Sequence, residues 1–391
     1  MAERPHDIAL FGATGFTGRL TAEYLARHAP PETRWALAGR RREKLEQLRD
    51  ELCDANPQCG DLDLVVADIE DDASVHELAQ GARVVVTTVG PYTSYGEPLV
   101  AACAAAGTDY VDLTGEPEFV DRMWLRHHDR AQASGARIVH SCGFDSIPHD
   151  LGAYHAVLRL PADAPIRLEG FVAAGGSFSG GTYQSAITAF SRMRQYARVS
   201  RERRRREGSP EGRRVRAFTG RIRHDRDLGR WVVPFPSIDP QVITRSARAV
   251  DRYGPDFSYG HYLQLKNLPT VVGLAGGVTG LMALAQLPPA RDWLLGRMGS
   301  GEGPSAEKRA EGWFRVRFAG QADGRQAVTE VSGGDPGYGE TSKLLAEAAL
   351  CLAHDSLPPT AGQVTPAAAM GDALLARLQA AGIEFRVLEP T

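Results

Sequence analysis

Three glycines spaced three apart, Gly12, Gly15 and Gly18, follow directly on the apolar run Ile8-Ala9-Leu10-Phe11. Ala13, Thr14, Phe16 and Thr17 fill the intervals, and Leu20 and Tyr24 then recur at helical spacing. A strand that turns into a helix through residues lacking side chains leaves backbone N–H groups and the positive helix end open to a diphosphate. The triplet alone also fits an ordinary tight turn, but its place at the first strand-to-helix junction favours a dinucleotide. The second strand-like run ends Ala36-Leu37-Ala38-Gly39-Arg40-Arg41-Arg42. An acid at that place holds the ribose 2′-hydroxyl of NAD, whereas arginine pairs bidentately with the extra phosphate of NADP. No acid stands there, so Arg40 and Arg41 are the candidate 2′-phosphate clamp; the alternative is a pair of solvated residues opening a helix. Cations are disfavoured at a helix N-terminus, a cost that an anionic ligand offsets. The expected cofactor is NADP(H).

Further candidates fall at other strand ends. Asp68, after the third apolar run, is expected beside the adenine ring. The run Val84–Val89 ends at Gly90-Pro91-Tyr92, on the sheet edge where open α/β folds bind ligands. Gly90 and Pro91 are assigned to the nicotinamide half; Tyr92 could donate a proton, stack, or simply be a half-buried turn residue. Asp145 and Ser146 follow the last strand of this region and are the other catalytic candidates, although Asp145 equally fits an N-cap for a helix over Pro148–Leu158. In the glycine-rich stretch Gly175–Gly181, Ser179, Gly180 and the nearby Tyr183 are candidates for a substrate wall or anion cradle, against a plain glycine turn. Neither Ser177 nor Ser179 has glycine at both two-residue offsets, so no nucleophile elbow is present. The eleven histidines, His127, His128 and His149 among them, show no HExxH-type spacing, and no metal is expected.

These residues need a scaffold, and the pattern supplies one. Short apolar runs at Ile8–Phe11, Trp35–Ala38, Leu62–Ala67, Val84–Val89, Tyr110–Leu113 and Ile138–His140 alternate with amphipathic segments, the rhythm of repeated βαβ units. Leu45, Leu48 and Leu52 share one helical face, as do Phe119 and Met123, with Gly135 as a helix stop. Beyond Gly152 the rhythm changes to strands at Ile166–Ala174, Trp231–Val233 and Trp313–Phe318, an Arg-rich helix, and an exposed loop at Gly299–Lys308. Helices return at Glu340–Ala353 and Ala368–Ala381. The expected fold class is α/β, an N-terminal Rossmann parallel sheet with a second mixed α/β (α+β) domain. Its divisions are 1–150 for NADP, 151–339 for substrate, and 340–391 as C-terminal helices returning to the first domain.

Bulk properties narrow the setting. A chain of 391 residues suits two domains, and 43% hydrophobic with 24% charged residues is ordinary for a globular protein. A net charge of −3 gives no drive toward nucleic acid. The five scattered cysteines form no CxxC pair, and the polar lead before Ile8 leaves no room for a signal peptide, so a cytoplasmic setting is expected. The uncharged run Val271–Leu287 is short for a bilayer span and is expected as a buried or interfacial helix, with peripheral membrane contact as the alternative.

Five passages together resemble the saccharopine dehydrogenase-like superfamily, and most of all its bacterial trans-acting enoyl reductase group. They are Gly12–Gly18, Leu37–Arg40, Val89–Tyr92 with Cys103, Tyr110–Glu116, and Cys142–Pro148. Ser179–Thr182 and Val364–Gly371 are similar as well. The resemblance implies a Rossmann domain joined to an α/β domain, with Phe144 at the cofactor and substrate reduced in the cleft between the domains. For the enoyl reductase group the substrate is an α,β-unsaturated acyl chain, free or carrier-bound, reduced for a polyketide or lipid synthase. An acyl carrier protein or the synthase itself is then the expected partner, and the chain is expected to be a homo-oligomer. In that light Arg192, Arg194, Arg198, Arg201 and Arg203–Arg206 could dock an acidic carrier; a solvated helix end is the plainer reading. Imine (C–N) reduction of the saccharopine dehydrogenase type and a non-catalytic NADP-binding role are the competing functions.

Overall fold

The computed structural model describes residues 4–176, 187–188, 191–287, 289–290, 293 and 303–389. They fall into two compact units, one within Met1–Phe144, Gly301–Gly303 and Tyr338–Ala381, the other within Asp145–Ser300, Pro304–Gly337 and Gly382–Thr391.

In the first unit, β1 (His6–Phe11), β2 (Trp35–Gly39), β3 (Asp63–Val66), β4 (Ala82–Thr87), β5 (Asp109–Asp112) and β6 (Arg137–Val139) alternate with helices. These are α1 (Phe16–His28), α2 (Arg42–Ala55), α3 (Asp72–Gly81), α4 (Tyr92–Tyr95), α5 (Glu97–Ala106) and α6 (Pro117–Ser134). The strands pair in parallel in the order β3-β2-β1-β4-β5-β6. Strands covered on both faces need unbroken apolar runs, and Ile8, Ala9, Leu10, Val84, Val85 and Val86 are fully buried. Leu45, Leu48 and Leu52 bury one face of α2, each worth about 1.5–3 kcal/mol, and so hold the start of that helix at the end of β2. Gly135 caps α6 at φ +84°.

The second unit is built on β7 (Ile166–Gly175), β8 (Arg214–Ala217), β9 (Arg223–Asp225), β10 (Arg230–Pro234), β11 (Asp256–Leu265), β12 (Trp313–Ala322) and β13 (Arg325–Gly333). Its sheet is mixed: β7 runs parallel to β11 and antiparallel to β12. The helix α7 (Ile147–Val157) lies on it at Gly152, where a β-carbon would sit 2.3 Å from the Phe318 ring. The C-terminal segment divides. Helices Gly339–His354 and Pro366–Ala380 belong to the first unit with β14 (Gly362–Val364), parallel to β6, while β15 (Glu384–Leu388) pairs with β13 in the second. The last residues thus form a strand in the second sheet, where helices had been expected throughout 340–391.

In two further segments the side chains divide between buried and exposed. The apolar run at Val271 lies in a helix, Leu268–Ala285, but among its described side chains only Val271 and Ala285 are buried, while Val272 is 65% exposed and Leu268, Leu274 and Leu284 are also open. Apolar residues surround this helix, and only one side can meet the protein. No helix among the described residues is long and apolar enough to cross a membrane. In the Arg-rich helix Met193–Glu207, Arg203 is buried and pairs with Glu207 at 3.4 Å, whereas its neighbours Arg204, Arg205 and Arg206 are exposed.

His155 of α7 is buried edge-on to Phe385 of β15. Burial pushes its imidazole from the ordinary 6.5 down to about 4, so the folded chain resists a proton that the unfolded chain accepts. Its contribution to stability is therefore complete above pH 6.5 and lost as the pH falls toward about 4. Urea unfolding across that window will show a shallower loss of stability in His155→Gln than in the unsubstituted chain; equal slopes would exclude His155 as the cause.

Candidate functional site

The strand order of the first sheet reverses between β1 and β4, the place where open α/β sheets take their ligands. β1 runs out at Gly12, which adopts φ +84° and whose amide donates to the Ala38 carbonyl at 3.0 Å. From β4, the Thr88 amide donates to Phe11 O and its hydroxyl to Gly12 O, each at 3.1 Å. A β-carbon on Gly12 would stand 2.7 Å from Val89 Cγ2, and one on Gly18 only 2.1 Å from Gly12 O. Gly15 differs. Its added β-carbon would press on Gly12 O alone, at 3.3 Å, with no other atom beyond its chain neighbours within 4 Å. Gly15 is also the N-cap of α1, whose first turn has neither a side-chain cap nor an acid. An uncapped helix start behind a bare backbone is the cradle that a diphosphate requires. Thr14 is half-buried beside it, Phe16 packs edge-on to Tyr338 at 4.8 Å, and the Thr17 carbonyl accepts the Thr21 hydroxyl at 2.9 Å.

At the end of β2, Arg40 and Arg41 are exposed, and neither forms an ion pair among the described residues. Arg41 is the N-cap of α2 and offers no side-chain hydrogen bond to it. A 2′-phosphate at this edge would meet two available guanidinium groups and a helix start. Asp68, half-buried beyond β3, uses one carboxylate oxygen to accept the Glu70 amide at 3.2 Å, while its own amide donates to the Ser74 hydroxyl at 3.0 Å. It shapes the turn that follows β3.

The loop after β4 is held by Glu116, a residue whose role no local spacing reveals. Glu116, 4% exposed at the start of α6, accepts the Tyr92 amide at 3.0 Å, the Thr93 amide at 2.8 Å and the Thr93 hydroxyl. Gly90 and Pro91, joined by a cis peptide, are fixed between this clamp and β4. Tyr92 is buried, its hydroxyl donating to Thr87 O and accepting from the Leu113 amide, both at 3.1 Å. Both hydroxyl functions are engaged inside the unit, so Tyr92 braces the loop instead of offering a proton. Asp112 does the same for β5 and β6: Oδ1 accepts the Thr114 and Ser141 amides at 3.1 and 2.9 Å, and Oδ2 takes Tyr110 at 3.0 Å and His140 Nδ1 at 2.6 Å.

Phe144, half-buried, closes this part of the first unit through its amide, which donates to Thr341 Oγ1 at 3.1 Å. The next two residues belong to the second unit. Ser146 is fully buried, and its hydroxyl donates to Asp239 Oδ1 at 3.3 Å. Ser146, not Asp145, occupies the N-cap of α7, without a side-chain bond. Asp145 is half-buried. Ser179, Gly180 and Tyr183 lie outside the described residues.

Residues 8–139 match the saccharopine dehydrogenase NADP-binding domain. A Mycobacterium tuberculosis protein, provisionally named a trans-acting enoyl reductase, is 39% identical over 431 residues, covering 98% of this chain and 97% of its own. The trans-acting enoyl reductase of Mycobacterium ulcerans is 37% identical over 417 residues with the same coverage of both chains. The chain belongs to the trans-acting enoyl reductases of the saccharopine dehydrogenase-like superfamily. It is an NADP-dependent oxidoreductase. Among solved structures, saccharopine dehydrogenase (L-Glu forming) of Saccharomyces cerevisiae superimposes with a TM-score of 0.57 at 12% identity, over 98% of this chain and all of that one, which is likeness of fold.

The bare backbone at Gly15, the uncapped α1 and the exposed Arg40 and Arg41 fit NADP(H). Two substitutions separate folding from binding at this turn. Gly18→Ala drives a methyl group into the Gly12 carbonyl and will lower stability by about 1–3 kcal/mol. Gly15→Ala will cost under about 1 kcal/mol as an N-cap change yet weaken NADPH by about tenfold or more, since it fills the cradle. Thermal melts and fluorescence titrations read the two effects; unchanged NADPH affinity in folded Gly15→Ala would remove the diphosphate from this turn.

Proposed function

We propose that this chain uses NADPH to saturate an α,β-unsaturated acyl chain in lipid or polyketide biosynthesis, acting on substrate presented by a separate synthase or acyl carrier protein. The observation that carries this reading is the end-to-end similarity to trans-acting enoyl reductases, which extends over 98% of the chain and so includes the second unit. Bound NADPH supplies a hydride for the β-carbon. The chain binds and orients it: the Gly12–Gly18 turn, with Thr14, Phe16 and Thr17, takes the diphosphate and Arg40 with Arg41 the 2′-phosphate. Asp68 flanks the adenine, and Gly90, Pro91 and Phe144 wall the nicotinamide half. An enoyl group also needs its developing enolate stabilised and a proton delivered to the α-carbon. Of Tyr92, Asp145 and Ser146, Asp145 alone is partly open to solvent, and it is our candidate for the proton-handling group. Ser179, Gly180 and Tyr183 remain candidates for the substrate wall.

The Arg-rich helix suits a carrier. Arg194, Arg198, Arg201 and Arg205 are exposed and recur along one face of Met193–Glu207. Such a stripe steers an acidic partner despite the net negative charge of the whole chain. The exposed apolar helix Leu268–Ala285 fits peripheral contact with lipid or with a lipid-bearing partner.

Titration with NADPH and NADH, followed by a trans-2-enoyl thioester, tests the reaction. Arg40→Ala will weaken NADPH by about ten- to a hundredfold, the 1.5–3 kcal/mol of a charged hydrogen bond, and leave NADH unchanged. Addition of the thioester to the NADPH complex will oxidise the nucleotide. Binding without oxidation would shift the reading to imine reduction or a non-catalytic NADP-binding role. Reversing charge at Arg194, Arg198 and Arg201 will raise KM for an acyl carrier protein thioester but not for the same acyl group on coenzyme A; a parallel rise for both would remove the docking role.

A further inference from the structure

Outside the nucleotide site, three side chains from three elements of the second unit meet in its interior. His149 comes from α7, Asp239 from the first turn of the helix Asp239–Ala249, and His261 from the middle of β11. Their side chains are 3%, 4% and 1% exposed. His149 Nδ1 lies 3.1 Å from Asp239 Oδ1, and His261 Nε2 lies 3.4 Å from Oδ2. One ligand-capable atom from each residue falls within 4.8 Å of the other two. Tetrahedral neighbours bound to zinc at about 2.0–2.1 Å stand roughly 3.3 Å apart, the spacing of both histidines from the carboxylate.

The surroundings hold these groups as an outer shell holds ligands. The Tyr259 hydroxyl is 2.8 Å from His261 Nδ1, which turns Nε2 toward Asp239. His261 Nε2 has no aligned hydrogen bond among the described residues. The Ser146 hydroxyl at 3.3 Å and the Ser237 hydroxyl both donate to Asp239, fixing the carboxylate plane. Second contacts of this kind set tautomer and orientation in imidazole and carboxylate metal sites.

We propose that His149, Asp239 and His261 bind a divalent transition metal of the zinc class, joining α7 and the helix Asp239–Ala249 to β11. Two nitrogens and one oxygen suit such an ion, and a water molecule would complete four-coordinate geometry. The site does not depend on the proposed reaction.

Elemental analysis and cobalt(II) titration of the purified full chain test it. About one zinc per chain will be retained, cobalt will give the strong visible bands of four-coordinate geometry, and chelation will lower the Tm. His261→Gln and Asp239→Asn, each judged folded by circular dichroism, will lose the ion. No bound metal, weak six-coordinate cobalt bands, or unchanged stoichiometry in either folded variant would overturn the site. Should both variants fail to fold, the cobalt spectrum of the unsubstituted chain decides the matter alone.

Discussion

The carbonyl oxygen of Gly12 stands 2.1 Å from the point a β-carbon on Gly18 would occupy, and the first unit is organised around that closeness. It lets α1 begin directly over the end of β1, with its open N-terminus at the sheet edge. Thr88 secures the same backbone from β4, through an amide to Phe11 O and a hydroxyl to Gly12 O. The far side of α1 is held in turn by the helix Gly339–His354, where the Tyr24 hydroxyl donates to Glu347 at 2.7 Å and Arg377 pairs with the same carboxylate at 3.2 Å. A segment more than three hundred residues along the chain thereby braces the helix that follows the Gly12–Gly18 turn.

Buried carboxylates do the corresponding work on the other half of the site. Glu116 gathers the amides of Tyr92 and Thr93, and Asp112 gathers those of Thr114 and Ser141. Each satisfies backbone donors that a loop at a sheet edge would otherwise leave unpaired. Ser141 accepts a left-handed backbone, φ +61°, in making its bond. The loops after β4, β5 and β6 are thus each tied to a buried carboxylate.

Much of this could be read from the sequence where the signal is local. The βαβ rhythm and the glycine turn follow from runs of neighbouring residues, and α2 buries Leu45, Leu48 and Leu52 as the spacing requires. What depends on distant partners could not. Nothing near Glu116 reveals that its carboxylate turns away from α6 to the Tyr92 loop, nor that Tyr92 and Ser146, polar residues at strand ends, are consumed by Thr87 and Asp239. The cluster of His149, Asp239 and His261 has no short spacing because three separate elements supply it. β13 did carry a signal, since Asp323-Gly324 supplies two left-handed residues at a hairpin turn. The helix Leu268–Ala285 departs for a different reason: apolar composition reports what a segment can bury, not what the fold brings against it.

The central claim is that a nucleotide held on the first unit gives its hydride to an acyl double bond. The most direct measurement follows deuterium from NADPH labelled at the nicotinamide C4 into a trans-2-enoyl thioester, with the product read by mass spectrometry and NMR. The account predicts the label on the β-carbon and a solvent-derived proton on the α-carbon. NADPH bound but unconsumed, or label transferred to an imine substrate while the enoyl thioester stays unreduced, would contradict it.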